Sequence, residues 1–152
     1  MGKLKDKILK NVNISNKQAS YEYHLLDKYT AGIVLSGSEI KSIRLGKVNL
    51  QEAYCLFDKD EFWVRNMHIN QYEQGTFHNH QPKADRKLLL TKRELKKIAN
   101  ALNDVGLTVV PTRLFVNDKG LAKLEVALAK GKKLYDKRET IKERDIQRSN
   151  EY

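Results

Sequence analysis

The alternation of apolar and polar positions divides this chain into short strand-like runs with two helical interruptions. Residues 21–26 (YEYHLL) alternate weakly and are rich in aromatics, which predicts a strand. Residues 31–35 (AGIVL) predict a second, broken by Ser36-Gly37-Ser38. Ser38, standing before Glu39, Ile40, Ile43 and Arg44, reads as the N-cap of a short helix with Ile40 and Ile43 on one face and its end at Gly46. Residues 53–57 and 62–66 flank Asp58-Lys59-Asp60-Glu61 and predict a hairpin. Residues 70–86 are polar, contain Gly75 and Pro82, and read as a long loop, which in a compact domain is usually functional or mobile. Leu88-Leu89-Leu90 predicts a buried strand. Thr91 and Glu94 then form a T-x-x-E capping box, opening a helix whose Leu95, Ile98, Ala99 and Leu102 fall on one face and which Gly106 closes. Residues 107–116 and 121–129 predict a second hairpin, turning at Asn117-Asp118-Lys119-Gly120. About seven strands, two helices and short hairpins suit a mainly β fold, a small antiparallel barrel with helices packed outside it. No internal repeat is visible.

The two ends do not follow that pattern. Residues 1–19 lack periodicity and read as a flexible arm, leaving residues 20–129 as the barrel. Residues 130–152 are rich in helix formers and have no Gly or Pro after Gly131, yet their only aliphatics are Leu134, Ile141 and Ile146, which form no single stripe. A helix of about 20 residues without a packing partner is marginal in water. The tail therefore reads as disordered when free and helical when bound.

Charge separates the same three parts. The 152 residues hold 29 Lys and Arg against 19 Asp and Glu, a formal net charge of +10. Residues 1–17 carry five Lys and one Asp, and residues 130–148 carry eight Lys or Arg and four Asp or Glu, so each end is net +4. Basic ends on a nearly neutral domain point to a polyanion, nucleic acid foremost. No apolar run approaches the roughly 18 residues of a membrane-spanning helix. The first residues lack the apolar stretch of a signal peptide, and Asp6 stands where a myristoylation motif wants a small residue. A single cysteine, Cys55, excludes an internal disulfide or a multi-cysteine zinc site. A soluble, reduced, cytoplasmic protein is the default expectation.

Candidate catalytic chemistry is thin. His78-Asn79-His80 spells HNH, but three consecutive residues cannot build the ββα-metal unit of the nucleases so named. His78 and His80 stand in the long loop with no acidic residue beside them, a poor metal site. Cys55 lies in a predicted strand and reads as a packed thiol. The segment ending in Gly131-Lys132-Lys133 lacks the first glycine and the final Ser or Thr of a phosphate-binding loop. A binding protein without metal or cofactor is the reading these absences favour over an RNA-processing enzyme.

One block is distinctive: residues 31–44 (AGIVLSGSEIKSIR). Others follow in order: residues 47–54 (KVNLQEAY), 72–75 (YEQG), 86–90 (RKLLL), 92–94 (KRE), 107–111 (LTVVP), 129–138 (AKGKKLYDKR) and 141–144 (IKER). Together they resemble the SmpB family, the tmRNA-binding proteins of bacterial trans-translation, over residues 16–146. The resemblance implies an OB-like barrel and no catalysis. It implies binding to the tRNA-like domain of tmRNA, delivery with elongation factor Tu to stalled ribosomes, and a tail that becomes helical in the empty mRNA channel near the decoding centre. A monomer is expected, with a general rRNA- or tRNA-binding OB-fold factor as the alternative.

By position, the resemblance implies tmRNA contacts at Asn16, Lys17, Tyr21, Glu39, Lys41, Arg44, Arg86, Lys87 and Leu89. Amide and ammonium groups suit phosphates and base edges, and the Tyr21 ring, where the family often has histidine, can stack on an unpaired base. Glu39 would serve equally to favour its helix N-terminus, and Leu89 to fill the core. The implied ribosome-binding tail comprises Gly131, Lys132, Lys133, Tyr135, Asp136, Lys137, Arg138, Ile141, Lys142 and Arg144. Thr30 and Thr91 depart from the family's common residues, and the tail ends sooner than many.

Overall fold

The computed structural model describes residues 12–72 and 79–132. Nine strands and three helices occur among them, in the order β1 (Asn13–Ser15), α1 (Lys17–Glu22), β2 (Tyr23–Ile33), α2 (Gly37–Arg44), β3 (Val48–Asn49), β4 (Tyr54–Asp58), β5 (Glu61–Arg65), β6 (His68–Ile69), β7 (Arg86–Leu89), α3 (Lys92–Ala101), β8 (Leu107–Val116) and β9 (Ala122–Gly131). Seven strands form one antiparallel sheet in the order β1-β8-β4-β5-β7-β2-β9, and β9 pairs back on β8. That last pairing closes the sheet into a barrel. One edge of β8 carries β9 along its length, and the other is shared by β4 at Val109 and β1 at residues 113–115. The mainly β, OB-like antiparallel barrel with short external helices is thus the observed architecture.

Inward positions of the strands fill the barrel with Ala31, Phe62, Val64, Leu88, Val109, Leu114, Leu124 and Val126, each at most 2% exposed. Ile43 of α2 and Ile98 of α3, both fully buried, dock the helices onto it. Each such large side chain contributes about 1.5–3 kcal/mol of transfer free energy. Cys55 is buried in the same core, as a packed thiol should be, and burial pushes its thiol pKa well up.

Several local expectations need correction. Residues 12–19 are not an arm: Val12 is buried, residues 13–15 pair with β8, and Lys17 opens α1. Tyr21 sits in that helix rather than in a strand. Residues 21–26 and 31–35 do not mark two strands; one 11-residue strand, β2, runs past a bulge between Leu25 and Lys28. The cap of α2 is Ser36, not Ser38: the Ser36 hydroxyl accepts from the Glu39 N–H while the Glu39 carboxylate accepts from the Ser36 N–H. Just before the long loop, residues 68–69 form β6, which pairs with β3. The capping box Thr91/Glu94 forms as expected, and so do both hairpins, the first through a two-residue turn with Lys59 and Asp60 at positive φ.

Candidate nucleic-acid interface

The outer face of the barrel carries a row of side chains across five strands. Leu89 of β7 lies opposite Gly32 of β2, Gly32 opposite Lys123 of β9, Lys123 opposite Phe115 of β8, and Phe115 opposite Asn13 of β1. Leu89 is 52% exposed, and Val34 beside it 51%. Gly32 keeps the centre of the row low; a Cβ there would meet the Leu89 Cβ at 3.5 Å. Two residues along, Thr30, Glu125, Arg113 and Ser15 form a second row. Arg113 donates to Glu125 at 2.7 Å and lies over the Phe115 ring, 4.4 Å from its centroid. Exposed apolar surface, a low glycine and a guanidinium stacked on an aromatic ring suit bases and sugars as well as phosphates.

A second group surrounds α2. Lys41 and Arg44 are exposed; Lys41 Nζ stands 5.4 Å from the Tyr72 ring centroid, and Arg44 reaches the β8–β9 turn near Gly120. Glu39, by contrast, is 6% exposed and pairs with Arg86, itself 3% exposed. Burial acts to raise the Glu39 pKa, but the Ser36 backbone N–H and the Arg86 guanidinium outweigh it and hold the carboxyl below its ordinary range. Arg86 also donates to the carbonyls of Met67, at 2.6 Å, Gln81 and Pro82. His80 presents its Nδ1 to Ser38 Oγ and its Nε2 to the Ile69 carbonyl, both at 2.9 Å. Both ring nitrogens of His80 are therefore engaged inside the protein. His78 lies outside the described residues. Among the described residues no cluster of three metal-binding side chains occurs.

A third group lies where the chain leaves β9. Gly131 pairs with Tyr23, the Lys132 N–H donates to the Glu22 carbonyl at 2.9 Å, and Lys132 Nζ donates to the Ser20 carbonyl at 3.0 Å. Lys17 is exposed at the start of α1, and Tyr21 is half-buried in it. Asn16, just ahead, is 7% exposed and spends its amide hydrogens on the Leu50 and Pro111 carbonyls, at 3.1 and 2.9 Å. It ties α1 to the barrel instead of capping the helix. The remaining tail residues named above, Lys133, Tyr135, Asp136, Lys137, Arg138, Ile141, Lys142 and Arg144, lie outside the described residues.

The SmpB protein family profile matches residues 13–152, that is, all three of these groups and the barrel between them. The chain belongs to the SmpB family. It is 58% identical to an SsrA-binding protein of Parabacteroides distasonis over 145 residues, covering 95% of each chain. It is 62% identical to an SsrA-binding protein of Bacteroides thetaiotaomicron over 138 residues, covering 91% of this chain and 92% of that one. A solved structure described as tmRNA–SmpB on a journey to the centre of the bacterial ribosome superposes with a TM-score of 0.69 at 39% identity, covering 81% of this chain and 86% of that one.

Within this SmpB chain the nine positions separate by accessibility. Lys17, Lys41, Arg44 and Leu89 are exposed, while Tyr21 and Lys87 are half-buried, Lys87 with its Nζ 3.4 Å from Glu61. Asn16, Glu39 and Arg86 face inward and fix the elements that carry the others. Arg113, Phe115 and Lys123 escaped the sequence reading. Their signal was present in the period-two pattern of the second hairpin, whose turn places Arg113 opposite Glu125 and Phe115 opposite Lys123.

Proposed function

We propose that this chain binds the tRNA-like domain of tmRNA and acts in trans-translation. It is a binding factor of the cytoplasm rather than an enzyme, a monomer that accompanies tmRNA and elongation factor Tu to stalled ribosomes. The family match along residues 13–152 carries this reading. The row from Leu89 to Phe115, with Arg113 stacked beside it, supports it as the RNA-facing side of the barrel. Lys41 and Arg44 add cations at the α2 end. The bonds of Lys132 to α1 support a basic tail that starts from this side of the barrel and contacts small-subunit rRNA near the decoding centre.

The test is a mobility-shift titration of a tmRNA transcript with the full chain under excess elongator tRNA. Retained binding supports the reading. Equal displacement by tRNA would point instead to a general tRNA- or rRNA-binding factor.

A further inference from the structure

α3 presents four cations that nothing in the described structure neutralises. Lys92, Arg93, Lys96 and Lys97 are all exposed. Their spacing of i, i+1, i+4 and i+5 gathers them within an arc of roughly 140° on the helix. The opposite side docks on the barrel through Ile98, Leu95 and Leu102. Glu94, the only acid in the helix, is occupied at its start, where it accepts from the Thr91 N–H and hydroxyl. Four other cations of the barrel are paired: Arg65 with Asp58 and Asp85, Arg86 with Glu39, Lys87 with Glu61, Arg113 with Glu125. Asp60 lines a groove with Lys96, and Asp27 a recess with Lys97 and Lys28, but neither forms an ion pair with them among the described residues. Lys92 with Lys96, and Arg93 with Lys97, are like charges one helical turn apart, an arrangement that works against the helix unless an anion relieves it.

We propose that α3 is a phosphate-binding surface whose four cations follow the backbone of an RNA helix. The RNA is the one that covers the Leu89 row, because only Leu90 and the Thr91 cap separate Leu89 from the first turn of α3. This rests on the tmRNA-binding reading and adds a surface to it. The repeated phosphates of an RNA backbone match the row of cations, and the apolar side of α3, spent on the barrel, is unavailable for insertion into a membrane.

The experiment compares two double variants of the full chain, each lowering the net charge by two. One is Arg93→Gln with Lys97→Gln. The other is Lys83→Gln with Lys119→Gln, exposed positions outside α3. Affinity for a tmRNA transcript is measured across a salt titration. The α3 pair is expected to weaken binding roughly tenfold at 50 mM salt and to flatten the slope of log K against log salt by about 1.5, at ~0.7–0.9 per phosphate. The control pair should shift affinity less than about twofold, and the α3 pair should melt no lower than the wild type, since repulsion has been removed. Equal effects from both pairs, or none from the α3 pair, would overturn the proposal while leaving tmRNA binding intact. Loss of affinity for phosphatidylserine vesicles with unchanged RNA binding would overturn it in favour of a membrane. Absence of tmRNA binding by the wild type would instead defeat the underlying functional reading.

Discussion

At the scale of single residues, inward-facing charge ties elements together, while the outward-facing side chains are the ones proposed to bind RNA. Arg86 joins β7, α2 and the segments on both sides of β6 through Glu39 and three carbonyls. Replacing it with Gln strands a buried carboxylate, so Arg86→Gln should cost about 3–5 kcal/mol in urea unfolding. The pH dependence follows from the lowered Glu39 pKa. Its contribution is fully present above the unfolded glutamate value of about 4.3 and is lost as pH falls through the lower folded value. Urea midpoints at pH 6 and pH 3 should therefore differ less in Glu39→Gln than in the wild type. Leu89 is the converse case. Half exposed, it can become Asp at a stability change within about 0.5 kcal/mol, whereas tmRNA affinity should drop at least tenfold by mobility shift. The sequence hides this division. Leu88-Leu89-Leu90 shows no alternation by which to separate the buried Leu88 from the exposed Leu89, and nothing local reveals that Asn16 is a cross-tie to Leu50 and Pro111.

At the scale of elements, capping chemistry was the most legible signal and bulged strands the least. Thr91 and Glu94 name the start of α3 because both halves of the box lie within four residues. Thr91→Ala should accordingly cost about 1 kcal/mol in thermal or urea unfolding. Ser36 and Ser38 compete for the same role at α2, and only the observed Ser36–Glu39 pair decides between them. Ser36→Ala should thus cost about 1 kcal/mol as a lost cap. Ser38→Ala should leave the cap intact and act on the His80 bond. β2 reads as two strands because the bulge between Leu25 and Lys28 interrupts the period of two, so a single strand imitates a strand, a break and another strand. Barrel closure was legible only as a class of fold. The β8–β9 register follows from their hairpin, but the β2–β9 pairing joins residues about a hundred positions apart, which no local pattern encodes.

At the scale of the whole molecule, the folded unit extends through Lys132, since Gly131 pairs with Tyr23 and Lys132 bonds to Glu22 and Ser20. A chain ending at Lys132 should unfold within about 0.5 kcal/mol of the full chain and bind tmRNA with modest loss. In a reconstituted translation system it should fail to tag stalled nascent chains; normal tagging would show the tail to be dispensable. The run of β8 gives the same geometry another meaning. Val12 accepts from the Val116 N–H at one end of that strand, and Lys130 pairs with Leu107 at the other. Nine residue steps of ~3.3 Å set these two points about 30 Å apart. Screening acts over about 8 Å at physiological ionic strength, so the two basic ends of the chain attach to the barrel several screening lengths from each other. Their contributions to the salt dependence of binding should therefore add, a result measurable by neutralising each end separately and then both. The barrel is in this sense a rigid spacer between the attachment points of two basic segments. Under the proposed function, docking one segment would hold the other at a raised effective concentration near a site a fixed distance away, a distance set by the length of β8.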